Sequence, residues 1–199
     1  MCGIVGIVNY KEDISNQYPI LRNMTNTLER RGPDEEGFFF SQNVNFGHRR
    51  LNVIDIENGK QPMSFTYNDT TYTITYNGQI YNTKELKAEL IKKGFSFKGH
   101  SDTEILLKAY ILYGKEICNH LNGIFAFAIY NDKEKDVFIA RDQFGIKPLY
   151  YSTIGDNFIF ASEIKAILEH PKATATLDKI GISELFGIGP SHTPRLYTV

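Results

Sequence analysis

The sequence is poor in cysteine and has almost no excess of charge of either sign. Cys2 and Cys118 are the only cysteines in 199 residues, too few for a disulfide framework, so we expect a reducing, cytoplasmic setting. The 22 basic and 23 acidic residues leave a net charge of -1. This balance argues against a nucleic-acid partner or an anionic membrane surface and favours a small polar substrate.

The chain also has few of the signatures of export, membrane insertion, metal binding or nucleotide binding. The apolar start MCGIVGIVNY has no basic leader, and polar residues interrupt it from Asn9 onward, which argues against a signal peptide or a membrane span. The histidines have no paired metal-ligand spacing, and no CxxC, Walker or GxGxxG motif occurs. We therefore expect no metal or cofactor in this chain.

Apolar periodicity predicts one domain of the α+β class. Cys2 to Val8 is typical of a strand buried on both faces, with the cysteine as its first residue. Aromatic and β-branched runs predict further strands at 38–41, 44–51, 71–78, 124–130, 137–142 and 158–162. Helical spacing predicts helices at 19–30, 83–93, 163–168 and 178–186, and another from Ser101, which has capping-box spacing to Glu104. This order predicts a sandwich with sheets inside and helices outside.

The most informative local sequence is Met1-Cys2-Gly3 at the start of the chain. A small second residue permits removal of Met1, which leaves Cys2 with both a thiol and a free α-amine. An α-amine titrates near roughly 7.7 to 8.0, so it can take the thiol proton close to neutral pH. The alternative is a buried core cysteine, the usual state of a free cysteine, and Met-Cys alone favours that alternative.

Seven separated blocks of sequence favour a nucleophilic Cys2 over a buried core cysteine. They are RGPDEEG (31–37), HRRLNVIDIENGKQPM (48–63), YNGQIYN (76–82), GHSDTEILLKAY (99–110), LNGIFAFAIYN (121–131), ARDQFGIKPLYY (140–151) and ASEIKAIL (161–168). Together with the start MCGIVGI, they resemble the class II glutamine amidotransferases, which are N-terminal nucleophile (Ntn) hydrolases. Within that class they resemble the glutaminase domain of glutamine-hydrolysing asparagine synthetase. The resemblance implies a four-layer αββα sandwich of two antiparallel sheets flanked by helices.

The resemblance also implies the chemistry. The Cys2 thiolate would attack the side-chain amide of glutamine and give a thioester, then glutamate and ammonia. Asn77 and Gly78 match the oxyanion-hole positions of the family, where Asn77 would donate its side-chain NH2 and Gly78 its backbone N–H. The alternative for an Asn-Gly pair after a strand is a hairpin turn.

Two further matches imply a pocket for a free amino acid. Arg50 would hold the α-carboxylate of glutamine in bidentate fashion, although Arg49 competes for this role. Asp102 would pair with the α-ammonium, and its alternative role is to stabilise a helix N-terminus. Gln79 stands where the family often has glutamate, so we expect weaker glutamine binding. Backbone groups near Val53 are expected to line the pocket.

The other distinctive residues are expected to be structural. Cys118 lies in an apolar helical stretch and is expected to pack in the core. The RGPD sequence at 31–34 is typical of a helix stop and turn. Lys147, within ARDQFGIKPLYY, is expected to be a solvated surface charge.

The family pattern includes an ATP-dependent synthetase domain after the glutaminase domain. From the resemblance we expect residues 1–194 to form a glutamine amidotransferase type 2 domain, 195–199 to form an atypical tail, and the synthetase domain to be absent from this chain. ATP and Mg²⁺ are therefore expected only in a separate synthetase domain or subunit, which would accept the ammonia. A catalytically silent, glutamine-binding module is the alternative function. Association into a homodimer stays an open alternative.

Overall fold

The computed structural model describes residues 1–177, 179–188 and 197–198. The strands are β1 Gly3–Val8, β2 Glu35–Phe40, β3 Val44–Arg50, β4 Met63–Tyr67, β5 Thr70–Ile80, β6 Gly123–Asn131, β7 Asp136–Arg141, β8 Tyr150–Ile154, β9 Asn157–Ala161, β10 Thr176–Leu177 and β11 Tyr197–Thr198. The helices are α1 Tyr18–Asn26, α2 Thr83–Lys92, α3 Asp102–Tyr113, α4 Ile164–Leu168 and α5 Lys179–Ile188, with a 3₁₀ helix at Gly114–His120. Positions 195, 196 and 199 of the predicted tail lie outside the described residues, as does Asp178 at the start of the last predicted helix.

Two antiparallel sheets form the centre of the molecule. The first sheet has the strand order β2-β3-β1-β9-β8, and the second has the order β4-β5-β6-β7. All six residues of β1 are buried. The strand pairs with β3 on one edge and β9 on the other, and its side chains pack against the helices on one face and the second sheet on the other. The prediction of a strand buried on both faces is confirmed.

Helices cover the outer face of each sheet. Helices α1 and α4 pack on the first sheet, whereas α3 packs on the second and against α2. Examples of the buried residues are Ile4, Phe46 and Tyr130 between the sheets, Leu21, Met24 and Ile167 outside the first sheet, and Leu90, Leu106 and Phe127 outside the second. These three apolar layers separate four layers of backbone, so the predicted αββα sandwich is confirmed.

The predicted strands and helices differ from the structure in several places. Strand β1 begins at Gly3, so Cys2 lies one residue before the strand and is not its first residue. The two-residue strands β10 and β11 were not predicted, and neither were β4 and β8 of the main sheets. Both are edge strands with mostly exposed or half-buried residues, and a strand that buries little has a weak alternating pattern. Helix α1 also ends at Asn26, four residues before its predicted end.

The capping-box prediction for α3 is only half correct. Ser101 is the N-cap, and its Oγ accepts a hydrogen bond from Thr103 N at 3.2 Å. The Glu104 carboxylate accepts instead from Lys98 N at 3.1 Å and Gly99 N at 3.2 Å. Glu104 therefore holds the loop that leads into α3, and this loop forms part of the site described below.

A buried histidine lies between the two sheets. His48 on β3 is fully buried, and its Nδ1 lies 3.2 Å from Thr75 Oγ1 on β5. Burial, with a smaller effect of the Arg50 charge, lowers the pKa of His48 from 6.5 to about 3. His48 is therefore neutral in the folded protein at neutral pH, whereas it becomes protonated in the unfolded chain below about pH 6.5.

This difference predicts a pH dependence of stability. Below about pH 6.5 the unfolded chain gains a proton at His48 that the folded protein does not, and this protonation stabilises the unfolded chain. The contribution of neutral His48 to the free energy of unfolding is therefore complete above that pH and declines toward pH 3. Between pH 7 and pH 5, the free energy of unfolding of the wild type should fall by about 2 kcal/mol more than that of His48→Gln. Urea unfolding of both proteins at the two pH values measures this difference. An equal fall in both would contradict a buried neutral histidine.

Candidate active site

A cavity of about 190 Å³ opens where the start of β1, the end of β3, the end of β5 and the N-terminus of α3 meet. All the predicted site residues line it, namely Cys2, Arg50, Val53, Asn77, Gly78, Gln79 and Asp102. These residues are up to a hundred positions apart along the chain. The register of the two sheets therefore brings them together, and one cavity contains every residue type that the predicted chemistry requires.

Cys2 lies at the inner end of this cavity and is half-buried. Its Sγ is 3.9 Å from the Leu51 carbonyl oxygen. Burial raises the pKa of the Cys2 thiol, although the hydrogen bond to Leu51, the positive N-terminus and the Arg50 charge act in the opposite direction. The thiol is therefore protonated at neutral pH and needs a base before it can act as a nucleophile.

Arg31 holds the main chain of Cys2. Its Nε donates a hydrogen bond to the Cys2 carbonyl at 2.9 Å, and its Nη1 pairs with Glu163 Oε1 at 3.2 Å. The RGPD segment was predicted only as a helix stop and turn, so this contact was not predicted. Arginine occurs in the block at 31–37 and glutamate in the block at 161–168. This pairing of opposite charges was the signal that could have indicated the contact.

Asn77 and Gly78 lie within β5, where Asn77 pairs with Ala126 and Gly78 with Phe125 of β6. The hairpin-turn alternative is therefore wrong. Asn77 Nδ2 is buried and has no hydrogen-bond partner among the described residues. A buried donor without an acceptor costs free energy, so this NH2 group is available for a ligand oxygen.

The N–H of Gly78 points to the same edge of β5 as those of its neighbours two residues away. Tyr76 N donates to Gln61 Oε1 at 2.7 Å, and Ile80 N lies 3.5 Å from Asp102 Oδ2. Because N–H groups alternate along a strand, the Gly78 N–H points between these two acceptors, toward the cavity that Gly78 lines. Gln61 was not among the predicted site residues.

Arg50 is the arginine of this cavity, whereas Arg49 is not. Along β3 the two side chains point to opposite faces, and Arg49 contacts Asn26 Oδ1 and Glu36 Oε2 instead. Arg50 is 4% exposed. Its Nη1 donates to Glu35 Oε2 at 2.8 Å and to the Ile56 carbonyl at 2.9 Å.

The other terminal nitrogen of Arg50 is also occupied. Its Nη2 donates to the carbonyls of Ile54 at 3.1 Å and Asp55 at 2.7 Å. The guanidinium thus organises the loop at 51–62 that follows β3. The predicted bidentate grip on a substrate carboxylate would require some of these bonds to be exchanged, because each terminal N–H already has an acceptor.

Asp102 is the first residue of α3 and is 7% exposed. Its Oδ2 accepts a hydrogen bond from the Tyr76 hydroxyl at 2.8 Å. Burial raises the pKa of Asp102, and the hydrogen bond from Tyr76 partly offsets this effect. Tyr76 was also missed by the sequence analysis, since an aromatic residue in a buried strand gives no signal of a polar role. Gln79 and Val53 are exposed at the mouth of the cavity.

Comparison with known proteins identifies the family of this chain. The family model described as "Glutamine amidotransferase domain" matches residues 1–198. The chain belongs to this family. Asparagine synthetase [glutamine-hydrolyzing] 3 of Bacillus subtilis is 50% identical over 194 residues, which are 98% of this chain and 32% of that protein. Asparagine synthetase [glutamine-hydrolyzing] 1 of the same organism is 47% identical over 170 residues, which are 84% of this chain and 27% of that protein.

The solved structures to which this amidotransferase domain is similar have the same fold. Glutamine phosphoribosylpyrophosphate amidotransferase from B. subtilis superposes with a TM-score of 0.70 at 25% identity, over 83% of this chain and 43% of that chain. The predicted resemblance and the Ntn-hydrolase fold are confirmed. This domain spans about a third of the length of the curated relatives it matches.

Two predictions about other residues of the amidotransferase domain need correction. Cys118 is exposed on the 3₁₀ helix and is not part of the core, because Ile117 fills the buried position of that turn. Lys147 is half-buried and lines the cavity. The Asp142 carboxylate accepts from the backbone N–H groups of 144, 146 and 147, and this turn places Lys147 at the cavity.

Within residues 1–177, 179–188 and 197–198, no group of three or more His, Cys, Asp or Glu side chains could hold a metal ion. In the same ranges, no helix is both long and apolar enough to cross a membrane.

Proposed function

We propose that this domain hydrolyses L-glutamine to glutamate and ammonia with Cys2 as the nucleophile. The observation that carries the proposal is the position of a partnerless Asn77 NH2 group in the same cavity as the Cys2 thiol. A nucleophile and a free donor in one cavity are the two requirements for attack on an amide carbonyl.

The reaction balances with groups of this chain and one water. The α-amine of Cys2, free after loss of Met1, takes the thiol proton, and the thiolate bonds to the amide carbon. Asn77 Nδ2 and Gly78 N stabilise the oxyanion. The C–N bond then breaks as the α-ammonium returns the proton to the leaving nitrogen, and ammonia departs. Water attacks the thioester, which releases glutamate and restores the thiol.

The polarity of the cavity supports glutamine as the substrate. Arg50 supplies positive charge on one side, and Asp102 supplies an acceptor on the other. We assign the α-carboxylate to Arg50 and the α-ammonium to Asp102, with Gln79 and the backbone near Val53 at the mouth. The cavity of about 190 Å³ accepts a small amino acid.

The acceptor of the ammonia is proposed from the names of the relatives. Because they are glutamine-hydrolysing asparagine synthetases, we infer that a synthetase domain or subunit uses the ammonia to form asparagine. ATP and Mg²⁺ would act in that partner, because the sequence has no phosphate-binding loop.

The test is ammonia and glutamate release from the purified chain that begins at Cys2, with Cys2→Ala as the control. We expect both products in equal amounts and no turnover in the control. Circular dichroism and glutamine binding are measured on both proteins. A folded wild type that binds glutamine without turnover would support the alternative of a silent glutamine-binding module.

The neutral Gln79 predicts that glutamine binding can be improved. Gln79→Glu adds a carboxylate at the cavity mouth, on the side that faces the substrate ammonium in our assignment. Because the position is exposed, we expect a modest fall in KM for glutamine of about fivefold. Steady-state kinetics at low and high salt measure it. Gln79→Ala is the matched control without a charge, and a gain that survives high salt would contradict an electrostatic cause.

A further inference from the structure

Asp55 is a buried acid in the loop between β3 and β4 that the proposed chemistry does not use. Its side chain is 3% exposed. Its backbone has a positive φ of 46°, a conformation that aspartate and asparagine adopt more readily than most other residues. A buried carboxylate on a turn of this kind requires several hydrogen-bond donors.

Both oxygens of the Asp55 carboxylate have donors, one set in its own loop and the other in the segment before α3. Oδ1 accepts from Asn58 N at 3.1 Å and from Asn58 Nδ2 at 3.0 Å, within its own loop. Oδ2 accepts from His100 N at 2.7 Å and lies 3.3 Å from His100 Nδ1. His100 precedes Asp102 by two residues, so this bond reaches the segment that carries the proposed ammonium site.

The main chain of Asp55 contacts the other proposed substrate residue. Its carbonyl accepts from Arg50 Nη2 at 2.7 Å and from Gly59 N at 2.8 Å. One residue therefore binds the guanidinium of Arg50 through its backbone and the segment before Asp102 through its side chain.

Two glycines permit this close packing. A Cβ at Gly99 would overlap Asp55 Oδ2 and would lie 2.9 Å from Asn58 Cβ. A Cβ at Gly59 would overlap Arg50 Nη2 and would lie 2.7 Å from the Asp55 carbonyl oxygen. The loop and the segment before α3 thus approach more closely than alanine at either position would allow.

The segment before α3 is itself held firmly on the helix. Besides the bonds from Lys98 N and Gly99 N to Glu104, Lys108 Nζ donates to the Ser96 carbonyl at 2.5 Å and pairs with Glu104. Because this segment is fixed to α3, the bond from Asp55 to His100 fixes the loop to α3 as well.

We propose that Asp55 is a positioning residue that sets the separation between Arg50 and Asp102. This inference rests on the proposed function, since those two residues are assigned to the charged ends of glutamine. The reacting groups on Cys2, Asn77 and Gly78 lie at β1 and β5, outside both segments that Asp55 joins. Loss of Asp55 should therefore weaken glutamine binding more than it slows the chemical step.

The test variant is Asp55→Asn, which keeps the shape and tolerates the positive φ. The new NH2 group must face either the His100 donor or the Asn58 donors. Facing His100 it breaks the bond between the loop and the segment before α3, and facing Asn58 it breaks the turn that presents the remaining oxygen to His100. We expect KM for glutamine to rise about tenfold, with kcat within about twofold. In the ligand-free protein, backbone amide exchange at 52–59 and 98–102 should become faster.

The matched control is Asp69→Asn. Asp69 also has a positive φ, of 61°, and lies exposed in the turn between β4 and β5. This variant should change neither KM nor amide exchange in the two segments. It therefore separates the role of Asp55 from any general effect of removing an aspartate at a left-handed position.

A second variant guards against a folding defect in the first. Gly99→Ala should displace the Asp55 carboxylate and raise KM in the same way. The double variant should have a KM no higher than that of the poorer single variant, because both changes break the same contact between the Asp55 loop and the segment before α3. Folded Asp55→Asn with unchanged KM and unchanged exchange would overturn the proposal. If the wild type neither hydrolyses nor binds glutamine, the proposed function fails, and the exchange rates of the variants still decide whether Asp55 joins the two segments.

Discussion

Glutamine hydrolysis is expected only from molecules in which Cys2 is the first residue. With Met1 attached, the nitrogen of Cys2 is a peptide amide, which cannot accept a proton near neutral pH. Burial raises the pKa of the thiol, so without a base the thiolate population is small. The Asp102 charge further raises the pKa of this thiol, and the Tyr76 hydroxyl already donates to Asp102 Oδ2.

The size of this effect follows from the loss of a general base. Removal of Met1 should raise kcat by about 10² to 10⁴. Intact mass measured on the same samples as the ammonia assay, before and after methionine aminopeptidase treatment, gives the relation between processing and activity. Equal activity in a sample whose mass retains Met1 would mean that another group takes the thiol proton.

Cys2→Ser is the matched control for this experiment. It keeps the α-amine and a side chain of similar size, but the hydroxyl is a much weaker nucleophile at this pH than a thiol. We expect turnover to fall below detection after complete removal of Met1, with an unchanged unfolding transition, since Cys2 contributes little to the core.

The second large effect is expected at Asn77. Loss of one oxyanion-hole donor typically lowers kcat by about 10² to 10³, so Asn77→Ala should do the same with little change in KM. Because Asn77 Nδ2 has no partner among the described residues, its removal breaks no bond in the free protein. Stability should therefore be nearly unchanged. Steady-state kinetics and thermal unfolding of one preparation measure both quantities.

Asn77→Asp is the matched variant at this position. It has the same shape, but it replaces the donor with a negative charge that would repel the oxyanion, so its loss of kcat should be at least as large. A variant of either kind with normal kcat would remove Asn77 from the mechanism. A large loss of stability with normal kcat would mean that its role is packing within β5.

The parts of the fold that could be predicted are those with a strong local pattern. The continuous apolar run of β1 and the apolar spacing of α2 are formed by residues close together in the chain, so the sequence alone predicts these elements. Strand β8 buries little, and the alternation in β4 extends over only five residues. Both strands depend on pairing with β9 and β5.

The candidate site likewise has some residues that the sequence predicted and others that it did not. The seven predicted residues were indicated by short blocks, since Cys2, the Asn77-Gly78 pair and Asp102 each lie in a recognisable local sequence. Their neighbours were not, because the contacts of Arg31 with Cys2 and of Tyr76 with Asp102 join positions 29 and 26 residues apart. Such contacts depend on the register of the sheets.

The amino-acid sequence by itself determined the class of fold, the family and the set of candidate site residues, because hydrophobic periods and short motifs are local properties. Only the tertiary structure decided that Asn77 has a free donor, that Arg50 is engaged by its own loop, and that Asp55 accepts hydrogen bonds from both Arg50 and the His100 backbone. These features depend on which distant donors and acceptors meet, and that is decided by strand register, the left-handed turn at Asp55 and the close approach that Gly59 and Gly99 allow.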